Sequence, residues 1–132
     1  MELTNREHSF VQLAAGLAKF GGLNKMYVGS VVVQKNKVIG TGANRVKTHP
    51  LQKKYGGAAK QYLHAEIDAI IESLHKVKDL SKSTIYVIRR RRVDGVFSMA
   101  LPCPSCMMAI KEAGIKKIVF SNWNGEIEKI NI

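Results

Sequence analysis

Two short stretches of this chain hold the residue types that do chemistry: His64-Ala65-Glu66 and, with Cys103 falling 37 positions after Glu66, Pro102-Cys103-Pro104-Ser105-Cys106. An imidazole nitrogen and two thiolates are zinc ligands, and C-x-x-C is a spacing that recurs at zinc sites. The chain has two cysteines, both inside this one C-x-x-C, so a closed four-cysteine site is excluded. Three ligands leave a fourth tetrahedral position for water, the arrangement of a catalytic rather than a structural zinc site. Zinc draws the pKa of a water it holds toward about 7, which makes hydroxide available at neutral pH. Glu66, a carboxylate that need not be a ligand, can then hold the proton that water loses.

Blander readings of the same residues fit less well. A thioredoxin-like redox pair would place its C-x-x-C after a first β-strand near the N-terminus and would give His64-Ala65-Glu66 no role. A lone histidine is more often a packed structural residue, but His64 has Glu66 and the cysteines as company. His8, His49 and His75 lack such company and read as surface or local packing residues, with His49 a weak substrate-loop candidate.

Size and charge bound the partners. At 132 residues and 14.6 kDa, with 45% hydrophobic and 23% charged residues, the chain suits a single domain over residues 1–132. The opening Met1-Glu2-Leu3-Thr4 lacks a signal-peptide pattern, so a cytoplasmic protein without a membrane span is expected. The net charge is +11, and no carboxylate lies between Glu7 and Glu66, where nine Lys and Arg residues accumulate. Such a field concentrates phosphates, so nucleotides and single-stranded nucleic acids are the expected partners, although a basic surface can serve solubility alone.

The elements that must position these residues follow from periodicity. Thr4-x-x-Glu7 is a capping-box pattern ahead of a helix over about residues 4–20, stopped at Gly21-Gly22. Val28 to Val33 and Val38 to Gly42 read as a hairpin about Lys35-Asn36-Lys37. Residues 43–62 read as a long basic loop of the kind that is often functional. A helix over about 64–77 carries an apolar stripe of Ile67, Ile70, Ile71 and Leu74, with His64 in its first turn. Ser83 to Arg89 reads as a buried central strand ending in Arg89-Arg90-Arg91-Arg92, and Val93-Asp94-Gly95 as a turn. Pro102 and Pro104 suit the start of a helix running to Gly114. Ile115 to Phe120 is a further strand, and Asn124-Gly125 a tight turn into a last one. The order α-β-β-α-β-α-β-β puts His64 and both cysteines at helix N-termini.

H-x-E followed by P-C-x-x-C resembles the cytidine deaminase superfamily, and the resemblance extends over the element order, about residues 4–132. It implies an α/β fold: a three-layer α/β/α arrangement around a mixed five-stranded sheet ending in an antiparallel hairpin. It also implies that His64, Cys103 and Cys106 bind zinc as cofactor, and that Glu66 moves a proton from water to the ring nitrogen and then to the departing amine. Ala65, through its amide, and Pro102, through its carbonyl, would contact the base, and Asn44 would hold the sugar. Many relatives assemble, so a homo-oligomer, a dimer first, is expected.

The motif is shared by branches that act on different substrates. Free-nucleoside enzymes usually have cysteine where His64 stands, which counts against a nucleoside. Deoxycytidylate and transfer-RNA adenosine deaminases share H-A-E but tend to carry a helix where Asn124-Gly125 predicts a hairpin. Arg45, Lys47, Arg89 and Arg90 are candidate phosphate or nucleic-acid contacts, and Trp123 reads as a structural anchor before a base-stacking platform. The expectation is a zinc-dependent hydrolytic deaminase converting cytosine to uracil in a nucleotide-level substrate such as (deoxy)cytidylate. The alternatives are a cytosine or adenine deaminase of single-stranded DNA or RNA, and a non-catalytic zinc-containing nucleic-acid-binding module.

Overall fold

A computed structural model describes residues 3–19, 26–44, 50 and 64–132. Helix α1 spans Asn5–Ala18, β1 Met26–Gln34, β2 Lys37–Ala43, α2 Ala65–Lys76, β3 Ser83–Arg91, β4 Phe97–Ser98, α3 Pro104–Glu112, β5 Lys117–Ser121 and β6 Ile127–Asn131. The strands form one mixed sheet in the order β2-β1-β3-β5-β6, with β4 paired to the end of β3. Among the described strands, only β3 and β5 run parallel. The layering is α/β/α, with α1 on one face and α2 and α3 on the other.

Local chemistry accounts for the ends of the elements. Thr4 and Glu7 close the expected capping box on α1, Thr4 Oγ1 accepting from the Glu7 amide at 3.1 Å and Glu7 Oε1 accepting from the Thr4 amide at 2.9 Å. Glu7 also pairs with Lys129 on β6 at 2.7 Å. Burial opposes its ionisation, but the hydrogen bonds from Lys129 and Thr4 hold the carboxyl below its usual range. Lys35 and Asn36 both have positive φ, 53° and 62°, as a two-residue turn matched to strand twist requires.

Alternation along β3 divides the core. Ile85 and Val87 face α2 and α3, joining Ile67, Ile70, Cys106, Ile110, Ile118 and Phe120. Tyr86 and Ile88 face α1, joining Val11, Ala14, Ala15, Val31 and Val119. The buried central strand expected of Ser83 to Arg89 is present and continues to Arg91.

Two expectations are corrected. The sheet has six strands among the described residues rather than five, because Phe97–Ser98 pairs with Arg90 and Arg89. A two-residue strand shows no periodicity; the tertiary neighbour creates it. The stripe on α2 also differs: Leu74 is 42% exposed, and the buried face is built from Ala65, Glu66, Ile67, Ala69, Ile70 and Ser73. Small residues line it because α2 lies directly on Gly40 and Gly42 of β2. A Cβ on Gly40 would overlap Ser73 Oγ and the Ala69 carbonyl, and one on Gly42 would overlap the Ala65 carbonyl. No helix among the described residues is long and apolar enough to cross a membrane.

Candidate metal centre

The two halves of the motif meet because two helices begin at the same place. His64 is the N-cap of α2 and Cys103 the N-cap of α3, both in extended conformation, and Pro104 opens α3 where its missing N–H costs nothing. Cys106, three residues into that helix, turns back toward its start. The start of α2 is held by its seat on Gly42 and by Asp68, whose Oδ2 accepts from the Ala43 amide at 3.2 Å. The segment entering α3 is tied to the end of β5 by the Ala100 amide, which donates to the Ser121 carbonyl at 2.8 Å.

His64 Nδ1 lies 3.1 Å from Cys106 Sγ and 3.8 Å from Cys103 Sγ, and the three ligand atoms all lie within 4.8 Å of one another. A tetrahedral zinc with Zn–N near 2.0 Å and Zn–S near 2.3 Å requires N···S separations of about 3.5 Å. The two observed distances lie on either side of that value, so the three ligand atoms are grouped closely enough to hold one ion. Neither cysteine is in a disulfide. The Cys103 thiol is pushed down to about 2, chiefly by hydrogen bonding with the Cys106 side chain; burial opposes this, while His64 and Ser105 add to it. Thiolate is the form that binds metal, and one nitrogen with two sulfurs suits zinc.

Metal content tests the assignment directly. Purified protein is expected to carry about one zinc ion per chain, and Cys106→Ser well under half of that by elemental analysis. Cys106 is fully buried, so the variant also places a hydroxyl in an apolar core and should melt lower. Full zinc occupancy in Cys106→Ser would mean that the ion is held elsewhere.

The other residues singled out from sequence are distributed around this cluster. Glu66 and Ala65 open α2 and are buried, at 6% and 1% exposure. Pro102 is buried immediately before Cys103. Asn44 follows β2 and is buried; its Oδ1 accepts from the Val28 amide at 3.2 Å, which leaves its NH2 group as the remaining donor. Arg89, two residues before the end of β3, lies on the face that carries α2 and α3. Arg90 does not join it, because strand alternation turns it to the α1 face, where Nη1 donates to the Ala15 carbonyl at 3.0 Å. Trp123 is 75% exposed in the β5–β6 turn, contrary to its reading as a structural anchor. Arg45, Lys47, His49 and nearly all of the long basic loop lie outside the described residues.

Asp68, Gly40 and Gly42 escaped the sequence reading. Two glycines on one face of a strand, two residues apart, were the available signal, since such a pair marks close approach of another backbone.

Comparison with known proteins agrees with this fold. A family described as "Cytidine and deoxycytidylate deaminase zinc-binding region" matches residues 4–122. The crystal structure of a dCMP deaminase from the cyanophage S-TIM5 in apo form superposes with a TM-score of 0.68 at 21% identity, over 95% of this chain and 89% of that one. A guanine deaminase from Bacillus subtilis gives 0.59 at 20% identity, over 92% and 66%. A deaminase/reductase from Thermotoga maritima gives 0.58 at 27% identity, over 86% of this chain and 29% of that one. No curated protein matches the sequence.

Proposed function

Because the chain belongs to the cytidine and deoxycytidylate deaminase zinc-binding family, we propose that it is a zinc-dependent hydrolase that converts cytosine to uracil in a nucleotide-level substrate such as (deoxy)cytidylate, releasing ammonia. The observation that carries this reading is the cluster of His64 Nδ1, Cys103 Sγ and Cys106 Sγ, which has three ligand atoms and begins at the same helix start as the buried Glu66.

The three ligand atoms would hold zinc, which when bound supplies the Lewis acidity that makes hydroxide available at neutral pH. Glu66 takes the proton that water gives up and delivers it to N3 as oxygen bonds to C4. It then carries the second proton to the exocyclic amine, the C4–N4 bond breaks, and ammonia leaves behind a keto oxygen. One water is consumed and no electrons are exchanged. The Ala65 amide and Pro102 carbonyl would orient the base, and the free NH2 of Asn44 would take the sugar. Glu66, Ala65 and Pro102 are buried, which would limit the entry of competing water during this step.

A nucleotide is placed ahead of a nucleoside for two reasons: the net charge of +11, and the complex of the cyanophage dCMP deaminase with dCMP and dUMP. A second reading, deamination inside single-stranded nucleic acid, draws on Trp123 at 75% exposure, since an exposed indole can stack on bases.

The test is mass-spectrometric detection of deaminated product and ammonia from zinc-loaded protein. The substrates would be cytidine, deoxycytidine, their monophosphates, adenine counterparts, and single-stranded DNA and RNA. Uracil nucleotide from a monophosphate is the expected result. Product from polymer alone, with steeply salt-dependent binding, would select the second reading. No ammonia from any substrate would leave a non-catalytic zinc module.

A further inference from the structure

We infer that Arg89 is the phosphate anchor of this site, the residue by which the protein prefers a nucleotide to the corresponding nucleoside. The inference rests on the nucleotide reading above and names the side chain that would enforce it.

Placement is the first argument. On β3, Ile85 and Val87 face α2 and α3, so Arg89, two residues further, continues on the face that carries the metal cluster. Strand register sets it opposite Val28 on one side and Ser98 on the other. Val28 in turn bonds Asn44 through both its amide and its carbonyl. Asn44, Val28, Arg89 and Ser98 therefore form one transverse row. The neighbouring row contains Gly42, Ser30 and Val87, and the start of α2 sits over Gly42. Arg89 is thus in the row just outside the one beneath His64 and Glu66, two strands or about 10 Å from Asn44.

The second argument is an unassigned donor. Arg89 Nε is buried and has no hydrogen-bond partner among the described residues. The backbone of Arg89 is held, because its amide donates to Ser121 Oγ at 3.2 Å while that hydroxyl donates to the Ser98 carbonyl at 2.6 Å. The side chains of the adjacent arginines are engaged: Arg90 donates to the Ala15 carbonyl, and Arg91 pairs with Asp94 at 3.6 Å. A buried guanidinium donor without a partner is costly. A phosphate would supply the missing acceptor, since its oxygens match the guanidinium fork.

Binding and turnover together test this. Zinc-loaded Glu66→Gln protein, used so that ligand is not consumed, is titrated calorimetrically with deoxycytidylate and with deoxycytidine, and the titration is repeated after adding Arg89→Gln or Arg89→Lys. Arg89→Gln is expected to weaken deoxycytidylate about 10- to 100-fold and to leave deoxycytidine within about twofold. Arg89→Lys, which keeps the charge but loses the fork, should fall between. It also carries the test if Arg89→Gln fails to fold, as judged by zinc content and melting temperature. A preference for the nucleotide that survives both substitutions overturns the assignment. So does the absence of any preference in the parent, or equal weakening of both ligands, which would mark Arg89 as structural. Wild-type turnover separates the two readings. If phosphate preference depends on Arg89 but no ammonia is released, the deaminase reading fails and the anchor stands; if ammonia is released and the preference ignores Arg89, the anchor alone fails.

Discussion

Glu66→Gln is expected to retain its zinc and lose about 10³-fold in turnover. Glu66 is the second residue of α2, is 6% exposed, and is absent from the set of three ligand atoms that lie within 4.8 Å of one another. Glutamine matches its volume and can still hydrogen-bond, so the helix start and the cluster should stand. What the amide cannot do is take a proton from water in one step and return it to the ring nitrogen or the amine in the next. The loss should therefore fall on kcat, with KM close to that of the parent. Product release measured by mass spectrometry, beside elemental analysis of the same sample, checks both halves. Turnover within about tenfold of the parent, with zinc retained, would remove Glu66 from the proton-transfer role.

Gly42→Val should be nearly as damaging to activity although it alters no ligand. The new Cβ would overlap the Ala65 carbonyl, stand 2.7 Å from the Ala69 amide nitrogen, and lie 2.9 Å from Asp68 Cβ. Two of these obstacles are helix backbone, which cannot rotate aside as a side chain would. Relief requires α2 to lift at the end that bears His64 and Glu66, breaking the Asp68 bond to the Ala43 amide as it does so. A cost of about 3 kcal/mol is expected, a fall of about 10 °C in melting temperature, together with loss of zinc. Gly16→Ala is the matched control. Among the described residues, nothing beyond its chain neighbours and its own helix backbone lies within 4 Å of the Cβ it would introduce into α1, so alanine should be neutral or stabilise by about 0.5 to 1 kcal/mol. Equal behaviour of the two variants would show that the seat of α2 on β2 is not what positions the site.

Much of the architecture could be read without coordinates because its signals are local. Thr4 and Glu7 are three residues apart and complete their capping box within one turn of helix. Lys35-Asn36 sits between two β-branched runs and makes the hairpin turn. Pro104 starts a helix for reasons internal to proline. Features that depend on distant partners were not legible. Phe97–Ser98 becomes a strand only against Arg89 and Arg90, Leu74 is exposed because α2 rests on glycines rather than on a large apolar face, and Trp123 projects outward from its turn.

The same division holds at the site. Ligand types, the two-residue step from His64 to Glu66, and the C-x-x-C are properties of the sequence alone, because coordination chemistry depends on atom type and helical spacing is short-range. Distances of 3.1 and 3.8 Å from His64 Nδ1 to the two sulfurs are not. They required α2 to settle on Gly40 and Gly42, and β5 to hold the entry to α3. The arginine run shows the contrast most sharply. Four consecutive arginines are equivalent as sequence, but strand alternation and pairing send Arg90 to the α1 carbonyls, commit Arg91 to Asp94, and leave Arg89 on the metal face with a buried donor to satisfy.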